Sequence, residues 1–175
     1  EVLRNNVEEL AKDEINFMNP FLPIDDIKNL VKSIYNADCF KRFNFKKSEL
    51  QEAAKLAEEE YQKSKQDIKN KGEEIIKYIK KNNLRGIVLA GRPYHIDPQV
   101  NHGIDKLISS FGAAIITEES ISHLIPKGRV GVLNQWTYHA RLYNAAKYVT
   151  TQPDMNLIQL VSFGCGLDAV TTDET

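Results

Sequence analysis

The chain has 175 residues, 42% of them hydrophobic, and a formal net charge of −1 from 23 basic and 24 acidic residues. That length suffices to bury one core, and because lysine alternates with glutamate along predicted helices instead of gathering on one face, a nucleic-acid footprint is not indicated. No apolar run approaches the ~20 residues that cross a bilayer and no secretory leader pattern opens the chain, so a cytoplasmic protein is expected.

The first third reads as helical. Val2, Leu3, Val7, Leu10, Ala11, Ile15 and Met18 fall on an i, i+3, i+4 stripe that the turn NPFLP, with Pro20 and Pro23, brings to an end. Asp25 or Asp26 can then cap a second helix with Ile27, Leu30, Val31 and Ile34 inward. Ser48 and Gln51 form an S-x-x-Q capping box before a long charged helix reaching about Lys81, with an interruption possible at Gly72. Its narrow seam (Leu50, Ala53, Ala54, Ala57, Tyr61, Ile68, Ile75, Ile76, Ile79) is not kept in heptads. Scaffolding is therefore the favoured role over a coiled-coil arm.

After Leu84 strands and helices alternate. Residues 86–90 read as a strand, 100–111 as a helix with Ile104, Leu107, Ile108 and Phe111 inward, and 113–117 as a strand, with Gly112 ending the helix. This βαβ unit predicts a right-handed crossover and parallel strands. An amphipathic helix over 136–150 and a third strand over 157–163 complete an open parallel sheet. The expected fold is α/β with βαβ (Rossmann/flavodoxin-like) topology plus an N-terminal helical arm. Residues 1–84 form the helical segment and 85–175 the α/β unit, together one domain.

Such a sheet delivers its loops to one edge, where ligands of open α/β folds collect. Three loops meet there: GRPYHIDP, TEES and SFGCG. In the first, Gly91 permits close approach, Arg92 can bind phosphate or carboxylate, and Tyr94 and His95 add a hydroxyl and an imidazole; the bland alternative is a rigid surface turn. In the second, one of Glu118 and Glu119 faces the cleft as acid, base or acceptor, because neighbours on a strand point opposite ways. In the third, Cys165 stands between Gly164 and Gly166 at the end of an apolar run, which makes its thiolate the prime candidate for chemistry; a buried cysteine acting as a small hydrophobe is the equal alternative. His102 and His139 are weaker candidates, and Thr171, Thr172 and Asp173 read as helix caps.

The blocks at 90–120 (AGRPYHIDPQVNHGIDKLISSFGAAIITEES), 134–149 (NQWTYHARLYNAAKYV) and 159–174 (QLVSFGCGLDAVTTDE) resemble, in this order, the large CoA-substrate-specific enzyme activases. In that family an ATPase activator of the 2-hydroxyacyl-CoA dehydratases is joined to a region similar to the dehydratase subunits. PFLPIDD near Pro20 fits the same region more weakly. No GxxxxGKS/T or GxGxxG run occurs, nor the cysteine pair of the activator half, so the resemblance implies the dehydratase-like part, a domain fragment of a larger protein.

What the resemblance implies in chemistry is low-potential electron transfer linked to 2-hydroxyacyl-CoA dehydration. It implies an iron–sulfur cluster of the 4Fe–4S type in the full-length protein, with Cys165 as a metal ligand. A cubane takes about four thiolates, and the chain has only Cys39 and Cys165, without CxxC spacing. The isolated chain is therefore expected to hold no cofactor and to be inactive. The implied partners are the rest of the parent chain, a dehydratase or activator subunit, and a CoA thioester. The alternative is a non-catalytic ligand-binding or structural interaction module with an inert Cys165.

Overall fold

The computed structural model describes residues 2–11, 15, 17–126 and 136–175. Two compact units divide the chain, Glu1–Lys63 and Ser64–Thr175, and the division falls inside one long helix.

In the first unit the expected N-terminal helix is two short pieces, α1 (Val2–Asn6) and α2 (Glu8–Ala11), and Val2 and Leu3 of the apolar stripe are exposed. The stripe's continuation over 12–14 and 16, like the side chain of Ala11, lies outside the described residues. Asp26 is the cap of α3 (Ile27–Asn36): its Oδ1 accepts the Asn29 N–H at 3.1 Å, and Val31 is buried below it. A 3₁₀ turn, Asp38–Phe43, carries the half-buried Cys39.

The long helix α4 (Lys47–Asn82) starts one residue before the expected box. The residue capping back is Glu49, whose carboxylate accepts the Lys46 N–H at 2.9 Å, so Lys46 and not Ser48 occupies the cap position. Gly72 does not interrupt α4. A Cβ there would stand 2.4 Å from the carbonyl oxygen of Ser120, so this glycine marks a close approach. At the far end Asn83 takes a left-handed φ of 50° and the Leu84 N–H bonds to the Ile79 carbonyl at 3.1 Å, a Schellman-type stop.

The second unit is α/β with an open parallel sheet of three strands among the described residues: β1 (Gly86–Ala90), β2 (Ala114–Thr117) and β3 (Met155–Gln159), in the order β2-β1-β3. β1 is central, pairing Gly86 with Ala114 on one side and with Met155 on the other. Val88 and Ala90 are wholly buried, as expected of an unbroken apolar run covered on both faces. The core joins Ile76 and Ile79 of α4 to Val88, Ile116, Ala145, Tyr148 and Met155.

Two expectations for elements change. β3 starts two residues earlier than its apolar run and stops at Gln159, with one last bond from the Leu160 N–H to the Ala90 carbonyl at 2.7 Å. Its partner β1 ends at Ala90, so Val161 and Phe163 leave the sheet and are exposed, and Cys165 sits beyond an edge strand rather than at its tip. The helix after β1 is only α5 (Ile104–Ser110), preceded by left-handed His102 and Gly103. It packs one face on β2, which buries Ile108 and leaves Leu107 and Phe111 in solvent.

The remaining helices are α6 (Glu118–Ile121), α7 (Thr137–Val149) and α8 (Gly166–Glu174). Residues 134–135 of the predicted amphipathic segment lie outside the described residues. From β1 the chain moves to one side for β2 and then crosses to the other for β3. The carboxyl ends of β1 and β3 therefore flank a topological switch point, the place where doubly wound sheets open a crevice.

Candidate functional site

The chain turns sharply out of β1 at Gly91. A Cβ there would stand 2.9 Å from His95 Nδ1 and 3.0 Å from the Leu160 carbonyl oxygen, so the close approach this glycine permits is between the loop after β1 and the loop after β3. Pro93 then starts a 3₁₀ turn, Pro93–Ile96, whose preceding residue is Arg92.

Arg92 organises the crevice. Its Nε and Nη2 donate to Asp168 Oδ1 at 3.1 and 3.0 Å, and Nη2 also donates to Cys165 Sγ at 2.8 Å. The other oxygen of Asp168 accepts the Ser162 backbone N–H at 2.8 Å. Burial alone would raise the Asp168 carboxyl, but the Ser162 N–H and the Arg92 guanidinium together outweigh it and hold the group below the usual carboxylate range. Cys165 is half-buried and occupies the N-cap of α8, where its carbonyl accepts the Ala169 N–H at 3.1 Å. Gly164, with a φ of 74°, and Gly166 both face open space, so the loop around the sulfur is uncrowded.

His95 and Tyr94 line the same loop. The Arg92 backbone N–H donates to His95 Nδ1 at 3.1 Å, which leaves the proton of the neutral ring on Nε2, 3.4 Å from Ser162 Oγ. Tyr94 Oη lies 2.8 Å from the same hydroxyl. This tautomer makes His95 a donor toward Ser162, the opposite of what a serine nucleophile needs from its base.

A second polar group follows β2. The strand ends at Thr117 and α6 begins at Glu118, so the period-two argument that set Glu118 and Glu119 on opposite sides does not apply. Both reach Arg141 of α7: Glu119 Oε1 is 3.0 Å from Nη1 and Glu118 Oε1 is 3.7 Å from Nη2. Glu118 is 1% exposed, its Oε2 has no partner among the described residues, and burial pushes its carboxyl up to about 6 against the pull of Arg141. Tyr138, in the first turn of α7, is raised to about 12 by burial and by the negative charges of Asp168 and Glu118. His139 packs against Trp136 and Tyr138, and burial with the nearby Arg92 lowers its pKa.

Residues 1–121 match the family model described as the CoA enzyme activase uncharacterised domain (DUF2229). The chain belongs to this family. The match takes in the helical unit, β1, β2 and the Arg92 and Glu118 loops, and stops short of Ser162, Cys165 and Asp168. No curated protein and no solved structure matches the chain.

Within this activase-family domain, Arg92, Tyr94, His95, Cys165 and the two glycines beside it are gathered at the β1/β3 crevice, while Glu118 stands at the end of β2. His102 lies in the turn before α5. Asp168, Ser162, Tyr138 and Arg141 were not legible as site residues. Asp168 carried one usable signal, an acid in the first turn of a helix three residues after the cysteine. Among the described residues no group of three His, Cys, Asp or Glu gathers to hold a metal ion.

Proposed function

We propose that this activase-family domain is a dehydratase-like module that presents Cys165 as one ligand of an iron–sulfur cluster completed by other parts of a longer polypeptide or by a partner subunit. The observation that carries the reading is the Cys165 sulfur itself, on an uncrowded glycine-flanked loop at the sheet's switch point. The fit is limited to one position, since the described residues supply a single soft ligand there. When bound, such a cluster supplies one-electron transfer at low potential.

The neighbouring residues suit a thiolate ligand. Arg92 donates to the sulfur, and Asp168 with the Ser162 N–H fixes the guanidinium so that this donor does not swing away. The N-terminus of α8 adds its positive partial charge on the same side. Tyr94 and Ser162 form the polar wall, and His95 offers an Nε2–H toward it. A CoA-dependent enzyme is the proposed partner, with the CoA thioester as its substrate. The test is anaerobic purification of the full-length protein, wild type and C165S, with iron and sulfide measured per chain. Equal contents would refute the ligand role.

One observation favours a second reading. Arg92 Nε and Nη2 are spent on Asp168, which is 2% exposed, and on the sulfur, so the trio also serves to staple the β1 loop to α8. In that reading Cys165 is inert and the crevice recognises a ligand or a sister domain.

A further inference from the structure

The first unit carries a groove of about 660 Å³ along α3 and the start of α4, lined among others by Lys28, Lys32 and Lys47, by Tyr35, and by Ile27 and Val31. The volume lies within the ~300–1,000 Å³ of small-molecule sites. No carboxylate lines the groove, and none of the three lysines is ion-paired among the described residues. Three of the acids near these lysines in the chain have partners of their own, and Asp25, three residues before Lys28, does not line the groove. Asp26 caps α3, Asp38 pairs with Lys41 at 2.6 Å, and Glu49 accepts the Lys46 N–H. Lys28 and Lys32 are one helical turn apart on α3, so two of the ammonium groups share a face.

We infer that this groove binds a small ligand of the nucleoside diphosphate class. The lysines take the phosphates as point charges, which breaks no ion pair among the described residues. Tyr35, half exposed on the wall, offers a ring face for a planar base, and Ile27 with the buried Val31 forms an apolar floor beside it. An anion without a planar part would use only the lysines; a planar molecule without charge would leave three cations uncompensated. The combination selects for both.

The test is calorimetric titration of the 175-residue chain with ADP and with inorganic pyrophosphate at constant ionic strength, which limits unspecific attraction. Saturable ADP binding is expected. Lys28→Glu with Lys32→Glu should weaken both ligands about tenfold or more, and Tyr35→Ala should weaken ADP while sparing pyrophosphate. Lys47→Gln, a milder change at the other wall, should weaken both in the same direction. Lys106→Glu on α5 is the control and should change neither. Absence of saturable ADP binding, an equal loss in the Lys106 variant, or a Tyr35 variant with unaltered ADP affinity would overturn the assignment.

Discussion

Arg92 Nη2 lies 2.8 Å from Cys165 Sγ although 73 positions separate the two residues in the chain. The same nitrogen is bonded to Asp168, so the sulfur, the guanidinium and the carboxylate form one rigid group that ties the exit of β1 to the start of α8. Any chemistry at Cys165 is done beside a fixed positive charge.

Asp168→Asn should loosen that group. It removes the charge that orients Arg92 and leaves this partly exposed guanidinium without its buried carboxylate partner, which should cost about 1–3 kcal/mol in urea denaturation. The sign with pH is set by the depressed carboxyl. Its contribution is present above the unfolded value of about 3.9 and fades as the pH falls through the lower folded value. The wild type should therefore lose stability relative to the Asn variant on acidification below about pH 4. A constant difference down to strong acid would contradict the ion pair.

Glu118 should show the opposite slope. Its folded carboxyl is raised to about 6, so between about 4.5 and 6 the folded state holds the extra proton and stability falls as the pH rises through that window. The loss should level off above it at about 2 kcal/mol, an order-of-magnitude figure for a group this buried. Glu118→Gln should flatten the profile, as followed by thermal unfolding across the range. An unchanged slope in the variant would assign the titration to another group.

The three parallel strands were legible because apolar runs bounded by glycine and proline reveal strands, and alternation with helices requires parallel pairing; their order, with β1 and not β3 in the centre, was not. The meeting of the Arg92 and Cys165 loops followed from that topology. What escaped was set by contacts between distant residues. The end of β3 is decided by where β1 stops, not by its own apolar run through Phe163. Asp168 is recognisable only once Arg92 is known to lie beside it, and Glu118 and Glu119 share Arg141 because a helix starts where a strand was expected to continue. Gly72 read as a helix weakness, yet its lack of a side chain is what admits Ser120.

Gly72→Ala separates those two roles. In a free helix alanine would stabilise by about 1 kcal/mol, whereas here the added methyl meets the Ser120 carbonyl oxygen at 2.4 Å and its Cβ at 2.7 Å. Backbone cannot move aside cheaply, so a net loss of about 1–3 kcal/mol is expected in denaturant unfolding. A gain in stability would mean that α4 and α6 do not meet at this point.

The His95 tautomer is open to direct observation. Nitrogen chemical shifts of the neutral ring should show Nδ1 unprotonated and Nε2 carrying hydrogen, as the Arg92 N–H bond requires. The reverse pattern would mean that the bond from the Arg92 N–H is not made.

The most direct measurement is iron and sulfide per chain in the anaerobically purified full-length protein, compared between wild type and C165S, with the thermal stability of the 175-residue chain followed in parallel. Serine keeps the size but replaces a soft ligand by a hard one. If Cys165 ligates a cluster, the variant loses iron and sulfide while the isolated domain changes by only about 1 kcal/mol. Unchanged iron and sulfide together with a large loss of domain stability would instead make Cys165 a structural partner of Arg92 and Asp168.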